Sequence, residues 1–463
     1  GAGSRIHCGN FDRVTRGKNM QFKTILLGTA ALALMAGSAA AQDAPKKHHH
    51  HHAAAANGSI DARIDQLEAE IHDLKRQQHE QAQAQAQVAA AAPAPSDQQV
   101  SQAQFEALQN QVYEQQASNT SLTKGSWWSN TKISGRMYYD ITNIDNKADG
   151  VKGAQDGFNF DIKRIYLGVD HQFDDVFSAN LTTDFTYDGT TKASQLYIKK
   201  AYLQAKLNDA FTFRLGSTDL PWVPFMEDLY GYRYVENTLI DRTKFGTSAD
   251  WGVHLLGKFA DGLIGYQISA INGAGYKASP IGTANRSKGI DVEGRVNLDW
   301  NGLTLGVGGY SGKLGKDIQG AAPTFHTATR FDAVAAYKWE GLKVGVEYFS
   351  ADNWNNVTTP GSDKAEGYSP FASYQFTPEW AVFGRYDWMK PNKDTLSAKR
   401  NQYYNFGIEY TPTKIVNFAL VYKHDAVDNG FINDSNGTIG GLANVVGSKG
   451  TYNEIGLWGQ VRW

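Results

Sequence analysis

The chain has 463 residues, enough for one large domain or several small ones, and its formal net charge of -2 at pH 7 gives no general attraction to nucleic acid. Its mean hydropathy is polar, and beyond an N-terminal apolar run no stretch reaches the roughly 20 apolar residues of a membrane-spanning helix. A helical membrane protein is therefore excluded. A transmembrane β-barrel is not, because its alternating strands average to a polar hydropathy.

The N-terminus has the features of a secretory signal. Met20 is followed by a lysine, by the apolar run of residues 24–37 and by small residues suited to cleavage. We predict a signal peptide over residues 20–41 and interpret residues 1–19 as a vector-encoded or upstream leader; a membrane anchor is the alternative. The single cysteine, Cys8, would be lost with this leader, so the mature chain would have no disulfides and no thiol chemistry.

Two further segments precede the main region. Residues 42–58 form a linker with five consecutive histidines, interpreted as a tag or a solvated segment, with metal binding as the alternative. Residues 59–117 are predicted to be helical, because apolar residues follow one another at alternating steps of four and three, as in a coiled coil: Ile60, Ile64, Leu67, Ile71 and Leu74. This segment is either an oligomerising stalk or a lone amphipathic helix.

Residues 125–463 are predicted to consist of strands. In "KISGRMYYDI" (132–141), apolar and polar residues alternate with the period of two that an extended strand requires. About sixteen such strands are separated by eight long connections, centred near residues 150, 190, 233, 280, 320, 358, 395 and 438, which alternate with seven short polar turns. The turns are Asp174-Asp175, Asn208-Asp209, Asp261-Gly262, Asn301-Gly302, Glu340-Gly341, Thr377-Pro378-Glu379 and Thr411-Pro412.

The regular sorting of connections by length distinguishes two all-β folds. A soluble sandwich has alternating strands as well, but short turns at one end and long loops at the other are typical of an outer-membrane barrel. Trp380 and Trp388 lie eight residues apart on one strand face, about 20 Å in height, which fits two aromatic girdles around an apolar band. We therefore predict an all-β, 16-stranded antiparallel transmembrane β-barrel whose apolar faces contact outer-membrane lipid.

The other face of each strand would then line an aqueous lumen. The candidate pore-lining residues are Lys132, Arg136, Asp140, Lys163, Arg164, Lys200, Arg214, Arg295, Arg330, Arg385 and Arg462. Two interpretations stay open. One is a hydrated wall of cross-strand ion pairs, and the other is a basic ladder that attracts anions.

The longest connection, residues 217–252, is unusually aromatic for an exposed loop. We predict that it folds into the barrel and narrows the pore; packing against a neighbouring subunit is the alternative. Its candidate constriction residues are Asp219, Trp222, Glu227, Asp228, Tyr230, Tyr232, Arg233, Glu236, Asp241, Arg242 and Lys244. The sequence suggests no metal site and no cofactor.

Three stretches resemble the phosphate-selective porin O and P family: "FDIKRIYLGVDHQF" (160–173), "LYIKKAYLQAKL" (196–207) and "FRLGSTDLPWVPFME" (213–227). The resemblance spans most of the strand region and not the helical segment. It implies a sixteen-stranded barrel, usually a homotrimer, with an inward-folded third loop and a pore lined by arginines and lysines.

Individual positions match the family pattern. Lys163 and Arg164 match its paired basic position; Pro224, Phe225 and Glu227 match its third-loop segment; and Asp241-Arg242 matches its acid–arginine pair. The chain departs from the family in its third loop, which is net acidic, and in its fifth long loop, which has Lys316, His326 and Asp317 in place of a lysine cluster. A phosphate filter needs several fixed cationic donors, so phosphate, another anion and sugar all stay open as solutes.

These observations favour a passive porin of the bacterial outer membrane for small hydrophilic solutes, with anions or phosphate as the candidate preferred solutes and with its N-terminal segment in the periplasm. The alternatives are a channel for sugars or small organic solutes, and a barrel-anchored envelope tether or adhesin that uses the coiled coil. The sequence has no G-x-S-x-G, H-E-x-x-H or P-loop motif, so we predict that the protein is not an enzyme.

Overall fold

The computed structural model describes Arg76 and residues 127–188, 193–278 and 287–463. The chain divides into two units, residues 1–102 and 103–463. Arg76, which is helical and exposed, represents the first unit, and the fold reported below belongs to the second. The predicted leader, signal peptide and histidine run lie outside the described residues, as does the predicted coiled coil apart from Arg76. No helix in the described residues is long and apolar enough to cross a membrane.

Sixteen long strands form the body of the second unit. They are β1 (Thr131–Ala148), β3 (Gly157–Gln172), β4 (Phe177–Asp188), β5 (Ala193–Lys206), β6 (Thr212–Asp219), β7 (Ala249–Phe259), β8 (Ile264–Ile271), β9 (Asp291–Trp300), β10 (Leu303–Gly312), β11 (Ala328–Trp339), β12 (Leu342–Asp352), β13 (Lys364–Gln375), β14 (Trp380–Lys390), β15 (Arg400–Thr413), β16 (Val416–Asp428) and β19 (Lys449–Arg462). Three short strands complete the set: β2 (Val151–Lys152), β17 (Phe431–Asp434) and β18 (Gly437–Gly440).

The long strands close into a ring. Each pairs antiparallel with its sequence neighbours, and β1 pairs with β3 on one side and β19 on the other. In this closing pair Tyr139 lies opposite Gly459. Closure leaves no long strand with an unpaired edge, which removes the backbone groups that could not be hydrogen-bonded in hydrocarbon. The predicted sixteen-stranded antiparallel barrel is confirmed.

Six of the seven predicted short turns lie between consecutive strands where the sequence placed them. The seventh prediction was wrong by a few residues. Thr411 and Pro412 lie within β15, and the connection to β16 is Lys414-Ile415. The pairing of β15 with β16 is irregular between Tyr410 and Thr413. Pro412 is tolerated there because proline, which has no N–H, is accommodated at a break in the ladder.

The two faces of the strands have opposite chemistry. On β1, Tyr138 and Asp140 are buried inside the barrel, whereas Ile133 is 57% exposed on the outside. Leucine, isoleucine, valine and aromatic side chains cover the outer surface of the other strands as well. The outer face of the strands is therefore apolar, as predicted, whereas the inner face carries the buried polar and charged residues together with buried apolar side chains such as Phe349, Phe383 and Val421.

Residues 220–248 connect β6 to β7, and we call this segment the constriction loop. It contains helix α1 (Val223–Tyr230) and the single-turn helix α2 (Leu239–Arg242). Helix α1 ends at Gly231, whose φ of 86° is the left-handed conformation that glycine adopts without strain. Most of the loop is buried against inward-facing side chains of its own barrel, which rules out the alternative that it is packed against another subunit.

Candidate functional site

Two β-bulges place paired cations on the inner wall. The pairing of β1 with β3 shifts between Tyr138 and Tyr139, so that Arg164 lies opposite one and Ile162 opposite the other, with Lys163 as the extra residue. The pairing of β4 with β5 shifts in the same way and makes Lys199 the extra residue beside Lys200. A bulge puts two consecutive side chains on the same face. Both members of each pair therefore reach the interior.

The first pair is held by a buried carboxylate and by the loop. Asp184 accepts hydrogen bonds from Arg164 Nη1 at 2.9 Å, Tyr197 at 3.1 Å and Tyr276 at 3.2 Å, and it is fully buried. Lys163 instead donates to the Val235 carbonyl of the constriction loop at 2.8 Å. Arg164 is thus paired with a carboxylate, whereas Lys163 has no carboxylate within 4 Å among the described residues.

The two lysines of the second pair also differ from each other, because only one of them is paired with a carboxylate. Lys200 forms an ion pair with Asp219. Lys199 is 7% exposed, and its ammonium lies 4.8 Å from the centre of the Tyr166 ring and 5.8 Å from that of Tyr276. Aromatic faces attract cations without cancelling their charge. Within the described residues Lys199 has no carboxylate within ion-pair distance.

Opposite this wall, the constriction loop presents a compact ion-paired group. Arg233 Nε lies 2.6 Å from Glu227 Oε1, and Arg233 Nη2 lies 3.7 Å from Asp241 Oδ2. Asp228 follows on helix α1, where burial and the neighbouring Glu227 raise its pKa. The loop therefore contributes mixed charge, with carboxylates in excess, across from the cationic wall.

The start of the loop is fixed to the far side of the barrel. The indole Nε1 of Trp222 donates to Glu347 Oε1 at 2.8 Å, and its backbone N–H donates to Glu293 Oε1 at 3.1 Å. Arg295 Nη1 donates to the Pro221 carbonyl at 2.7 Å, and its guanidinium lies over the Phe225 ring. These contacts turn the chain into the barrel directly after β6.

Aromatic residues in the middle of the loop pack against the same far wall. Tyr232 stacks on Phe383 with ring centres 3.9 Å apart. Tyr230 donates to Asn405 at 3.2 Å, and Tyr234 donates to Glu409 at 2.7 Å. The hydroxyls of Tyr230 and Tyr234 therefore each have the partner that burial requires. The contacts of these three tyrosines fix the loop to the barrel wall.

Arg242 is the centre of a buried ionic cluster. Its guanidinium is fully buried and lies 3.0 Å from Asp387, 2.6 Å from Asp425 and 2.9 Å from Asp434. Asp387 and Asp425 belong to the barrel wall, whereas Asp434 belongs to the hairpin β17–β18. Burial and the adjacent Asp425 raise the pKa of Asp434 well above its usual range, against the effect of Arg242. The cluster joins wall, loop and hairpin.

A second contact joins the hairpin to the loop. Ser435 donates through its backbone N–H to the Arg242 carbonyl and through its hydroxyl to Glu236, both at 2.9 Å. Glu236 also lies 3.4 Å from Lys423 of the wall. Burial alone would raise the pKa of Glu236, but the charges of Lys423 and Lys163 outweigh burial and lower it. The hairpin tip is thus docked on the constriction loop.

Two cavities flank the constriction loop along β3 to β9. The first, about 540 Å³, lies toward the long loops, and we call it the loop-side cavity. Its ionisable lining comprises five cationic and three acidic residues: Lys163, Arg164, Arg233, Lys244 and Lys277 against Asp161, Glu236 and Asp241. The second, about 1320 Å³, lies toward the short turns and is the turn-side cavity. Its lining includes Arg214, Arg295 and Asp228.

Positions along the strands show which residues lie between the two cavities. Along β5, Gln204 lines the turn-side cavity and Lys200 and Lys199 lie further toward the loops. On β1, Arg136 is opposite Tyr166 of β3, and Tyr166 is two residues from Arg164, which lines the loop-side cavity. The cations of β1, β3 and β5 therefore face the loop carboxylates between the two cavities.

The predicted pore-lining residues differ in position: some are buried behind the constriction loop, some face the cavities, and three lie elsewhere on the inner wall. Arg330 and Arg385 point into the barrel but are buried behind the constriction loop, where each is paired with carboxylates. Six other predicted residues face the side of the barrel that holds the cavities. Two of them, Arg164 and Lys200, are paired with a carboxylate. The other four have no carboxylate within 4 Å in the described part of the chain: Arg136, Lys163, Arg214 and Arg295. Lys132 is opposite Asp170 near the short turns, Asp140 is buried, and Arg462 contacts Asn417.

Sequence reasoning missed several of these residues. Strict alternation assigns Lys199 and Lys200 to opposite faces, so Lys199 was omitted from the lining. Lys423 and Asp184 were missed as anchors because their partners come from distant segments. The only available signal was the repeated "IKR" and "IKK" doublet, since two cations in a row are unexpected on a strand that faces lipid. No group of three or more metal-ligating side chains lies together in the described residues.

Comparisons with known proteins agree with this geometry. Residues 131–225 match the sequence profile of the family Phosphate-selective porin O and P. No curated protein matches the chain. Among solved structures, the anion-selective porin from Comamonas acidovorans is similar at 13% identity, with a TM-score of 0.52 over 72% of this chain and 99% of that one. The outer membrane channel DcaP of Acinetobacter baumannii, also 13% identical, gives a TM-score of 0.49 over 72% and 97%.

At this identity the solved structures show the fold alone. The match over residues 131–225 covers β1, β3, β4, β5, β6 and the start of the constriction loop, which are the elements that carry the paired cations. The similarity to the phosphate-selective porin O and P family is confined to these elements.

Proposed function

We propose that this protein is a passive outer-membrane channel that prefers anions. The route runs through the loop-side cavity, between the constriction loop and the wall formed by β1, β3 and β5, and out through the turn-side cavity. The protein catalyses no reaction; selection depends on the width of the route and on the charge that lines it.

The observation that carries this proposal is the division of the inward-facing cations. Those behind the constriction loop, such as Arg330, Arg385 and Lys423, are buried and neutralised by carboxylates, so they are structural. Those beside the route include Arg136, Lys163 and Lys199, which have no carboxylate partner within 4 Å among the described residues. An uncompensated cation attracts an anion at short range even in a partly hydrated site.

Lysines at the entrance extend this pattern. Lys244, Lys277 and Lys316 come from three different long connections, and none of them forms an ion pair with another described residue. Lys244 and Lys277 line the loop-side cavity, and Lys316 lines an adjoining cavity of about 250 Å³ that also includes Lys244. The lysine cluster that the fifth loop lacks in sequence is thus supplied by separate loops. Cations at a pore entrance raise the local anion concentration.

The packing of the loop speaks against the sugar-channel alternative. In a sugar channel, the aromatic side chains of the constriction loop, which include Tyr230, Tyr232 and Tyr234, would be the surfaces on which a sugar stacks. Their rings are buried against the barrel wall, and Tyr232 is already stacked on Phe383. Such rings are not available to a solute unless the loop is displaced.

The test is the reversal potential of the purified protein in a planar bilayer under a potassium chloride gradient. We expect discrete conductance steps and a reversal potential whose sign shows chloride to be more permeant than potassium. Competition by phosphate and by sulfate then ranks the anions. Cation preference, or the absence of conductance, would refute the proposal.

We further propose that the channel is a homotrimer, with its signal peptide removed and its N-terminal segment in the periplasm. Both chain ends of the barrel lie on the short-turn side, because β1 and β19 begin and finish there. The proposal also keeps the stalk over residues 59–117. Deleting residues 59–117 tests this separately: we expect conductance to persist, and a loss of conductance would favour an essential role for the stalk.

A further inference from the structure

A third cavity lies between long connections at the loop end of the barrel, and we call it the side pocket. It has a volume of about 360 Å³ and is bordered by residues 243–245 of the constriction loop, by the connection after β14 and by the hairpin β17–β18. It shares only Lys244 with the loop-side cavity. It is therefore a separate site beside the proposed route.

Lys399 lines this pocket and is almost completely buried, with 6% exposure. Its ammonium lies 5.6 Å from the centre of the Phe431 ring. Within residues 127–188, 193–278 and 287–463 no carboxylate and no hydrogen-bond acceptor lies within bonding distance of it. Burial lowers the pKa of Lys399, and the more distant Asp363 opposes that effect. Lys399 lies at the wall of the pocket, where an added anion would supply the acceptor that its ammonium lacks among the described residues.

Asp363 does not serve as that acceptor. Its carboxylate receives hydrogen bonds from the Asn392 side chain at 2.8 Å, from the Asp394 backbone N–H at 3.0 Å and from the Thr395 hydroxyl. These bonds hold the connection after β14 in its conformation. The carboxylate is thus occupied, and Lys399 faces the pocket.

The rest of the lining has a consistent chemistry. It includes a second ammonium, that of Lys244, and no carboxylate. Asn355, Asn433 and Asn444 add side-chain amides, and Asn433 uses its Oδ1 to accept a bond from Thr438. The opposite side is apolar, formed by Met389, Pro391, Phe431 and Ile432. The pocket therefore combines two cations with an apolar wall.

We propose that the side pocket binds a small organic anion, with its carboxylate or phosphate group at Lys399 and Lys244 and its carbon skeleton against Phe431, Ile432 and Met389. The occupant would connect three segments: the constriction loop, the connection after β14 and the hairpin β17–β18. The side pocket shares Lys244 with the proposed route, but benzoate binding and ion selectivity are measured separately, so either proposal can fail without the other.

Isothermal titration calorimetry of the full-length protein in detergent, with benzoate as the probe, tests the proposal. We expect saturable binding of one benzoate per chain at the side pocket. Lys399→Gln should weaken it at least tenfold, whereas Lys393→Gln, a control in the same connection whose ammonium pairs with Glu366, should not change it. Inorganic phosphate, which has the charge but no apolar part, should displace benzoate only at higher concentration.

Conductance and heat-modifiable gel mobility of Lys399→Gln serve as checks on folding, and both should match those of the unmodified chain. If Lys399→Gln does not fold, Lys244→Gln provides the second variant, with the same expected loss of benzoate affinity. Benzoate binding that is unchanged in these variants, or no benzoate binding at all, would overturn the proposal.

Discussion

At the scale of single residues, ion pairing separates cations that stabilise the barrel from cations that face the proposed route. Lys199 is the clearest member of the second group, because two tyrosine rings hold its ammonium and no described carboxylate compensates it. Lys423 is the clearest member of the first, since it lies between Glu236 and Glu454. Residue type alone does not distinguish these two lysines; their neighbours do.

Replacing Lys199 with glutamine should reduce anion preference. The side chain keeps most of its size but loses the charge that attracts an anion at short range, so we expect the ratio of chloride to potassium permeability to fall about two- to fivefold. Reversal potentials under a salt gradient measure this ratio. Lys390→Gln, a lysine beside Trp388 on the outer face, is the control, and an equal fall in both variants would contradict the assignment.

Replacing Arg242 with glutamine should release the constriction loop. Three buried carboxylates would lose their common cation, and breaking a buried ion pair by removing one partner costs about 3–5 kcal/mol. We expect residues 220–248 to become susceptible to protease while the barrel remains folded. Arg400→Gln, which removes a more exposed pair with Asp428, provides the comparison; an Arg242→Gln loop as resistant as the native one would be inconsistent with this role.

At the scale of elements, the two bulges explain how consecutive cations share one face. Deleting Lys163 removes the extra residue, and Ile162 and Arg164 then alternate as in a regular strand. We expect this deletion to fold. Deleting Ile165 instead would shift every later residue of β3 to the wrong face, which is strongly disfavoured where one face is apolar. Heat-modifiable gel mobility distinguishes the two, and an unfolded Lys163 deletion would contradict the bulge.

The docking of the hairpin β17–β18 should depend on pH. The raised pKa of Asp434 means that its contribution to docking is fully present below the ordinary pKa of an aspartate and is lost as pH rises through the raised value. Arg242, Asp387, Asp425 and Glu236 surround this group. We therefore expect hydrogen exchange of residues 431–440, corrected for its intrinsic pH dependence, to show weaker protection at higher pH. Asp434→Asn should flatten this trend, and an unchanged trend in that variant would refute it.

Sequence reasoning succeeded for the strands and failed for the bulges. Alternation of apolar and polar residues and short Asn-Gly or Asp-Gly turns are local signals, so strand count and facing followed from them. Lys163 and Lys199 each break the alternation by one residue, which a period of two cannot represent. The turn at Thr411-Pro412 was misplaced because β15 continues past Pro412 through an irregular pair.

At the scale of the whole molecule, the barrel has an asymmetric interior. The constriction loop is fixed to the wall from β9 to β16, and the two cavities lie along β3 to β9. The sequence predicted that the loop folds inward, because its aromatic content is incompatible with exposure. It did not show which side of the barrel the loop occupies. That side is set by contacts between residues far apart in the chain, such as Trp222 and Glu347.

The measurement that tests this asymmetry most directly is thiol modification of a single cysteine at position 199, in a Cys8→Ser background, during bilayer recording. We predict that a negatively charged, water-soluble thiol reagent modifies Lys199→Cys and reduces anion permeability, and that a positively charged reagent, applied instead to the unmodified variant, increases it. The matching cysteine at Val421, inside the barrel but buried, should not react. A channel that conducts ions while position 199 is inert to both reagents would contradict the route proposed along the cationic wall.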